Sequence, residues 1–401
     1  MDNRQKELIK ATVPTLQTAG AILTGHFYNR MFTHNPELKE VFNMGNQANG
    51  RQREALAGAV LAYAQHIDDP SVLINVLKGI GHKHTSLNIE ASQYDIVGKH
   101  LIASISEVLG NAATPELLEA WTVAYNELAA IMIGLEKEMY IENETKPGGW
   151  KGWRKFVIKK IVKESEEINS FYLYPEDNAA IADFHPGQFI SLQVFVKELG
   201  LLQPRQYSLS GNNNGQYYRI SVKREKAIEE NPAGMVSNTL HSKNEGDTVM
   251  LSAPAGTFRL RETEGPVVLI SGGVGLTPML SMLEANKNKD VSNKTIWIHG
   301  CRNSAVQAFK NDIEILKKET DWLETYTFIE DIEEHHTSGT LLKGRVDLNH
   351  LETAVLPKDA HYYICGPAMF IKTHYEHLTG LHIDKANIFY EEFGPQSLSL
   401  N

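Results

Sequence analysis

The amino-acid sequence predicts three domains of different fold class: an all-α domain at 1–145, an antiparallel β-barrel at 151–262 and an α/β domain with a parallel sheet at 263–401. Three observations predict this order. Apolar residues recur at helical spacing up to about residue 145, short β-rich runs follow a Pro-Gly-Gly break at 147–149, and strands alternate with helices after Gly265. A chain of 401 residues is also too long for one ordinary domain.

The first domain shows helical periodicity and no strand signal. Apolar faces at helical spacing occur in three stretches, which are 55–63, 96–108 and 121–132. Breaks between helices are expected at 34–36, 45–50, 68–70 and 110–115, where proline, glycine and asparagine cluster. Several helices with short connections therefore make up this domain.

The remaining two domains are distinguished by how their strands are spaced. The barrel is predicted from the runs FVIKKIV, SFYLYP, GQFISLQVFV, YYRISVKRE and DTVMLSAPAG, which turn residues separate. The parallel sheet is predicted from PVVLISGG, TIWIHGC, TYTFIE, HYYICGP and NIFYEEFGP, with helical segments at 276–288, 309–318 and 369–378 between them.

Composition excludes several classes of protein. The formal net charge of -10 and the lack of a long basic run argue against nucleic-acid binding. Only Cys301 and Cys365 occur, in different segments, so neither a disulfide framework nor a cysteine-rich metal site is expected. The N-terminal MDNRQKELIK has no apolar core of a signal peptide, and no stretch is apolar for long enough to span a bilayer. We therefore expect a cytoplasmic protein with no membrane span.

His84 is the candidate metal ligand of the helical domain. A heme held without covalent bonds needs one axial imidazole and an open opposite position for a gas, and no C-x-x-C-H motif is present for covalent attachment. One histidine among sixteen is more often an ordinary residue. Its surroundings favour the functional interpretation, since Tyr28 lies in HFYNRMF, Phe42 lies in KEVFNM, and Gln52 and Leu56 are one helical turn apart.

This order of features resembles the globin domain of the flavohemoglobin family. The resemblance implies that His84 is the proximal ligand of heme b, that Phe42 packs on the heme, and that Tyr28, Gln52 and Leu56 line the distal pocket. It also places Tyr94 and Glu136 beside His84, with Lys83 adjacent in sequence. A carboxylate that accepts the proximal N–H makes the imidazole more basic. Judged without the family, Tyr94 and Glu136 would each be interpreted as structural.

The second domain contains an R-x-Y-S motif. A flavin diphosphate needs a cation and hydroxyl donors, and Arg205-Gln206-Tyr207-Ser208 supplies them. The motif resembles the FAD-binding motif of the ferredoxin–NADP reductase family, as do the segments PGQF with Phe189, GMVSN with Gly234, Val236 and Ser237, and APAGTF. The resemblance implies FAD binding by these residues. Phe189 stands where related chains often carry tyrosine, so one hydroxyl is lost there.

The third domain resembles the NAD(P)-binding domain of the same reductases. Gly273, Val274, Gly275, Leu276, Thr277 and Pro278 lie between a strand and a helix, where glycines let a pyrophosphate approach the backbone. Cys365 and Gly366 are placed near the nicotinamide by the resemblance, although Cys365 could equally be a buried apolar residue. Near the C-terminus, Glu391, Glu392, Phe393, Gly394 and Pro395 resemble the segment that closes over the flavin, with Glu391 between flavin and heme.

The resemblance covers the whole chain and implies a nitric oxide dioxygenase. NADH or NADPH reduces FAD, FAD reduces the heme iron, and the heme converts NO and O2 to nitrate, which detoxifies NO. The expected partners are O2, NO and NAD(P)H, in a monomer, and lipid in the distal pocket is left open. Two alternatives remain: an oxygen-binding or redox-sensing globin, and a general flavin-dependent reductase of ferric or quinone acceptors. The choice between NADH and NADPH also stays open, since the Arg302 side chain could bind a coenzyme 2′-phosphate or could simply face water.

Overall fold

The computed structural model describes residues 1–227, 232–287, 293–332 and 340–394. The first domain is all helical, as predicted. Its helices are α1 Asn3–Ala11, α2 Val13–His34, α3 Met44–Ala48, α4 Arg51–Gln65, α5 Ile74–Ser86, α6 Ala91–Leu109 and α7 Pro115–Thr145. Short 3₁₀ turns follow α2, α4 and α6 at Pro36–Glu40, Pro70–Leu73 and Gly110–Ala112.

Local sequence signals explain where these helices begin. Asp2 caps α1 through a reciprocal hydrogen-bond pair with Gln5, and the Thr114 side chain caps α7 just before Pro115, whose fixed φ suits the first helical position. Small residues let α2 and α4 approach closely, since a Cβ added at Gly20 would lie 3.3 Å from that of Ala57. The helices bury a core that includes Phe27, Met31, Ile105 and Trp121.

One predicted break was wrong in part. The glycine- and asparagine-rich stretch 45–50 was expected to be irregular, but α3 occupies most of it. The Asn43 side chain accepts the backbone N–H of Asn46 at 3.0 Å, so a helix cap outweighs the poor helix propensity of the stretch. Gly50 then ends it with a left-handed φ of 79°.

The second domain is an antiparallel sheet of six strands. They are β1 Arg154–Lys163, β2 Ile168–Pro175, β3 Phe189–Val196, β4 Leu201–Ser208, β5 Tyr218–Lys223 and β6 Thr248–Leu251, in the spatial order β4-β3-β6-β1-β2-β5. A bridge between Leu209 and Ile220 joins the two outer strands at one end, as in a partly open barrel. The short helix α8, Met235–His241, packs against β3 and β4.

Strand β4 was not among the predicted runs. Its sequence LLQPRQYS alternates weakly and contains Pro204, which cannot donate to a ladder and is tolerated in sheets mainly on edge strands. In the structure β4 pairs with β3 on one side, with Phe189 opposite Ser208 and Leu192 opposite Arg205. The proline therefore marks an edge strand and does not interrupt the sheet.

The third domain is a parallel sheet covered by helices, as predicted. Its elements are β7 Val267–Gly272, α9 Leu276–Lys287, β8 Thr295–Cys301, α10 Lys310–Glu319, β9 Leu323–Ile329, β10 Leu341–Lys343, β11 His361–Gly366, α11 Ala368–Gly380 and β12 Ile388–Glu392. The strand order β10-β9-β8-β7-β11-β12 reverses direction between β7 and β11. Ligands of such sheets bind outside the carboxyl ends of the strands at this reversal point. Strand β10, only three residues long, was not predicted.

Two further features concern the cysteines and the helices. Cys301 and Cys365 are both free and buried. None of the helices within the described residues has the length and apolar character needed to cross a membrane.

Candidate functional site

His84, Tyr94 and Glu136 form one hydrogen-bond network. Helix α5 carries His84, α6 carries Tyr94 and α7 carries Glu136. The Nδ1 atom of His84 lies 2.7 Å from Oε1 of Glu136 and 3.1 Å from the Tyr94 hydroxyl, which donates to the same Oε1 at 2.5 Å. Burial, and then the negative charge of Glu136, raise the pKa of Tyr94, so Tyr94 stays a donor.

This network settles which nitrogen of His84 is free. The Glu136 oxygen that accepts the Tyr94 hydroxyl also faces Nδ1 of His84 as an acceptor, so Nδ1 is the donor and the lone pair of the imidazole lies on Nε2. The His84 side chain is 34% exposed, whereas that of Glu136 is 4% exposed. The imidazole is thus held from behind by a buried acceptor while its other nitrogen remains available, which is the donor arrangement that heme iron requires.

Tyr28 is the polar group of a largely apolar pocket. Its ring stacks on Phe32 and meets Phe42 edge-on, each at a centroid distance of 5.8 Å. Burial raises the pKa of Tyr28 to about 12, and the neighbouring side-chain amides of Gln52 and Gln47 oppose that rise. The hydroxyl is therefore neutral and able to donate at physiological pH.

A second amide belongs to this pocket in addition to the predicted Gln52. The Nε2 atom of Gln47 is buried and has no hydrogen-bond partner among the described residues, which is costly unless a bound group provides one. Leu56, the other predicted distal residue, is half-buried and packs on the same core as Phe42. The unsatisfied amide beside Tyr28 fits a pocket that binds a small polar ligand over a flat apolar cofactor.

Lys83 and the C-terminal strand meet across the domain boundary. The Lys83 ammonium donates to the carbonyl of Gly394 at 2.8 Å. Burial raises the pKa of Glu391 to about 7, against the opposing effect of Lys83. Burial also lowers the pKa of Lys83, which Glu391 and Glu392 oppose. Lys83, which precedes His84, therefore contacts the segment that the sequence assigned to flavin closure. In that segment Phe393 is 41% exposed. Pro395 lies outside the described residues.

Arg205 is a half-buried cation on strand β4. Burial lowers the pKa of its guanidinium, and it forms no ion pair within the part of the chain that the structure describes. Tyr207, two residues along, lies on the same face of the strand, while Gln206 and Ser208 lie on the other. A partly desolvated guanidinium without a counterion is unfavourable, so the site fits a bound anion such as a diphosphate.

The predicted flavin residues outside β4 gather near it. A Cβ at Gly234 would lie 2.8 Å from both Cβ of Glu225 and Oγ of Ser237, so only glycine fits there. Ser237 donates to the carbonyl of Gly234 at 2.9 Å, and Val236 beside it is buried in the barrel core. The ring of Phe189, 8% exposed, packs against Gly256.

The glycine loop lies at the reversal point of the parallel sheet. Gly273 has a φ of 56° and nothing within 4 Å of an added Cβ, so its backbone is open to a ligand. A Cβ at Gly275 would overlap the carbonyl of Cys365, so this glycine permits close packing of the loop on β11. Leu276, Thr277 and Pro278 are buried in the first turn of α9.

The predicted nicotinamide residues are closely packed. Cys365 is fully buried, and burial raises the pKa of its thiol. A Cβ at Gly366 would lie 2.8 Å from the ring of Phe370, and one at Gly272 would lie 3.1 Å from the same ring. Phe370 was not predicted, although its place four residues after Gly366 in CGPAMF was available as a signal.

Arg302 contacts the barrel in this structure, and its contact with a coenzyme 2′-phosphate stays a prediction. Its guanidinium forms an ion pair with Glu167 of the barrel, and Glu167 raises its pKa. Arg302 therefore links the two reductase domains in this structure.

Family models and known relatives match the same order of three domains. A globin model matches residues 25–132, an oxidoreductase FAD-binding domain matches 155–260, and an oxidoreductase NAD-binding domain matches 269–375. A flavohemoprotein of Bordetella pertussis is 48% identical over 395 residues, which cover 97% of each chain. A flavohemoprotein of Bacillus subtilis is 42% identical over 399 residues, covering 99% of this chain and 98% of the relative.

Two solved structures extend the comparison. The flavohemoglobin of Malassezia yamatoensis, determined with bound FAD and heme, superposes with a TM-score of 0.87 at 28% identity and covers 98% of this chain and 99% of its own. The FAD/NAD-binding domain of the nitric oxide dioxygenase of Vibrio cholerae has a TM-score of 0.55 at 39% identity, covering 60% of this chain and 99% of that domain.

Proposed function

Because the chain belongs to the flavohemoprotein family, we propose that it is an NAD(P)H-dependent nitric oxide dioxygenase. The overall reaction is 2 NO + 2 O2 + NAD(P)H → 2 NO3⁻ + NAD(P)⁺ + H⁺, so each coenzyme supplies the two electrons that two turnovers need. When bound, FAD accepts a hydride as an electron pair and passes electrons singly to heme iron, where O2 and NO react.

The observation that carries this proposal is the network behind His84. Its Nδ1 lies 2.7 Å from a carboxylate that is 4% exposed. Helix α5, which carries His84, also contacts both reductase domains through Ser86 and Lys83. A purely storage globin has no use for a fused reductase, and nothing in the described part of the chain favours a sensor.

On the proximal side, His84 would hold the heme iron through Nε2. The Glu136 carboxylate accepts the hydrogen bond from Nδ1–H, and Tyr94 holds that carboxylate in place through its 2.5 Å hydrogen bond. This arrangement gives the imidazole part of the character of an imidazolate, so it would donate more electron density to a bound metal.

On the distal side, the neutral Tyr28 hydroxyl would donate to a gas bound in the pocket and polarise it. Gln52 and Gln47 would orient that hydroxyl, and Leu56 would restrict access. Phe42 would pack against the porphyrin.

In the reductase half, Arg205 binds the FAD diphosphate, assisted by Ser208 and Ser237. The 273–275 loop binds the coenzyme pyrophosphate, and Cys365 and Gly366 bound the nicotinamide pocket. Lys83 and the 391–394 segment lie between the flavin and heme halves, where they hold the two cofactor sites together.

The proposal is tested by NO loss in air with NADH or NADPH. The parent chain is expected to consume NO much faster than a His84→Ala variant, with nitrate as the product. The variant should still reduce a quinone or ferric acceptor through FAD. Equal NO loss in parent and variant would contradict the proposal and favour a general flavin reductase.

We also propose that the chain acts as a monomer in the cytoplasm, with domains at 1–145, 151–262 and 263–401. The family models matched at 25–132, 155–260 and 269–375 support these domain bounds. Size-exclusion chromatography, cell fractionation and mild proteolysis near 146–150 and 263 test the three parts separately.

A further inference from the structure

We propose that Gln203 is a positioning residue that fixes the heme-contacting turn around Phe42 against the flavin-binding strand β4. It thereby sets the rate at which electrons pass from flavin to heme. This inference rests on the proposed function, because it presumes that both cofactors bind where that function places them.

The side chain of Gln203 hydrogen-bonds strand β4 to the 39–44 segment of the helical domain. It is fully buried, at 0% exposure, on a strand of the barrel. Its Oε1 accepts the backbone N–H of Met44 at 3.1 Å, and its Nε2 donates to the carbonyl of Lys39 at 2.9 Å. One amide therefore holds the helical domain on both sides of Phe42, in a 3₁₀ turn and at the start of α3.

The edge of β4 is shaped for this contact. N–H groups on alternate residues of a strand point to the same side. The Leu202 N–H points away from β3 and is taken by Oε1 of Glu40 at 3.2 Å, and Pro204 has no N–H to satisfy. The 39–44 segment thus covers an edge that would otherwise expose unpaired backbone groups.

A short path leads from this contact to each cofactor site. Toward the flavin, Arg205 is two residues along β4, and a Cβ at Gly45 would lie 3.3 Å from its Nη2. Toward the heme, Phe42 meets Tyr28 at 5.8 Å. The buried, fully hydrogen-bonded amide of Gln203 lies between the Arg205 side and the Phe42 side. It therefore has the geometry to keep the separation of the flavin and heme sites constant.

A separate hydrogen bond joins the helix that carries His84 to the barrel. Loss of the Gln203 contacts can therefore be distinguished from loss of docking on the His84 side. Ser191 on β3 donates to Ser86 at the end of α5 at 2.8 Å. With that contact in place, loss of the Gln203 hydrogen bonds should release the Phe42 turn while leaving His84 docked.

The test uses the full chain loaded with heme and FAD. Gln203→Met keeps the volume but removes all three hydrogen bonds, and Gln203→Glu keeps the acceptor for Met44 but loses the donor to Lys39. Gln193→Met is the matched control, because Gln193 is half-buried on β3 and has no side-chain hydrogen bond within the described residues. Anaerobic stopped-flow with NADH records flavin bleaching and heme reduction separately, and hydrogen–deuterium exchange records the Met44 amide.

We expect the rate of flavin bleaching to stay within about twofold of the parent rate in every variant. Gln203→Met should slow heme reduction about tenfold or more, because small misplacements of reacting groups can cost up to about 10²-fold in rate. Met44 should exchange faster in Gln203→Met and remain protected in Gln203→Glu, which should reduce heme at an intermediate rate. The Gln193→Met control should match the parent.

Unchanged heme reduction in Gln203→Met, with Met44 exchanging freely, would overturn the inference. If Gln203→Met fails to bind either cofactor, Glu40→Ala is measured instead, since it removes the neighbouring hydrogen bond from the Leu202 N–H. Slower heme reduction in Glu40→Ala supports positioning by this strand edge, and an unchanged rate overturns the inference. Failure of the parent chain itself to reduce heme would instead contradict the proposed function.

Discussion

Replacing Glu136 by glutamine should raise the reduction potential of the heme iron. The substitution keeps an acceptor at nearly the same place but removes the negative charge that lies 2.7 Å from Nδ1 of His84. The oxidised iron carries one more positive charge than the reduced iron, so it loses more stabilisation when the carboxylate goes. The predicted direction is therefore upward.

The magnitude follows from the strength of this hydrogen bond. A bond to a charged group contributes about 1.5–3 kcal/mol and a neutral one about 1 kcal/mol, so the loss is roughly 0.5–2 kcal/mol. Since about 1.4 kcal/mol is a factor of ten and a factor of ten is about 59 mV for one electron, the shift is about 20–80 mV. Tyr94 donates to the same oxygen at 2.5 Å and already withdraws part of its charge, which favours the lower half of that range.

A spectroelectrochemical titration of the Soret band measures this shift. Glu138→Gln is the matched control, because Glu138 is exposed on the same helix and should leave the potential unchanged. A Glu136→Gln potential equal to that of the parent, with heme still bound, would refute the interpretation of Glu136 as an electron-donating partner of His84.

Three further predictions concern the other sites. Arg205→Ala removes a charge-assisted contact worth about 2 kcal/mol and should weaken FAD binding about 30-fold with the heme spectrum intact; equal flavin-to-heme absorbance after gel filtration would count against a diphosphate role. Tyr28→Phe removes one hydrogen bond of about 1 kcal/mol and should speed O2 release about fivefold; an unchanged off-rate in flash photolysis would remove Tyr28 from the distal pocket. Burial raises the pKa of Glu391 from 4.5 to about 7, so its folded form holds a proton that the unfolded form has lost, and the free energy of unfolding should fall as pH rises between those values. Glu391→Gln should flatten that slope in thermal denaturation from pH 5 to 8, and identical slopes would contradict the raised pKa.

The order of the three domains could be predicted because each follows from periodicity in the chain. Apolar spacing distinguishes helices from strands, and the antiparallel and parallel sheets follow the helical domain in the predicted order. Prediction failed where a single tertiary contact decides local structure. Helix α3 depends on the Asn43 cap, and β4 is tolerated with Pro204 because it lies at an edge.

The candidate site was predictable to the extent that family motifs carry it. Residues as distant in sequence as His84 and Glu136 meet in one network, which periodicity alone could not predict. Gln47 and Gln203 were missed, because an amide acquires its role only from the groups that folding brings beside it. Gln203 is identified by a buried amide whose hydrogen bonds are all made, and Gln47 by a buried amide nitrogen that has no partner among the described residues. Neither burial nor hydrogen bonding can be read from the sequence.

The central claim is that electrons from a nicotinamide coenzyme reach an iron held by His84 within a single chain. The most direct measurement is the absorption spectrum of the purified, cofactor-loaded protein before and after NADH is added without oxygen. Our account predicts loss of the flavin band followed by the Soret shift of ferrous heme, with the second change absent from His84→Ala. Flavin bleaching with an unaltered Soret band in the parent protein would contradict it.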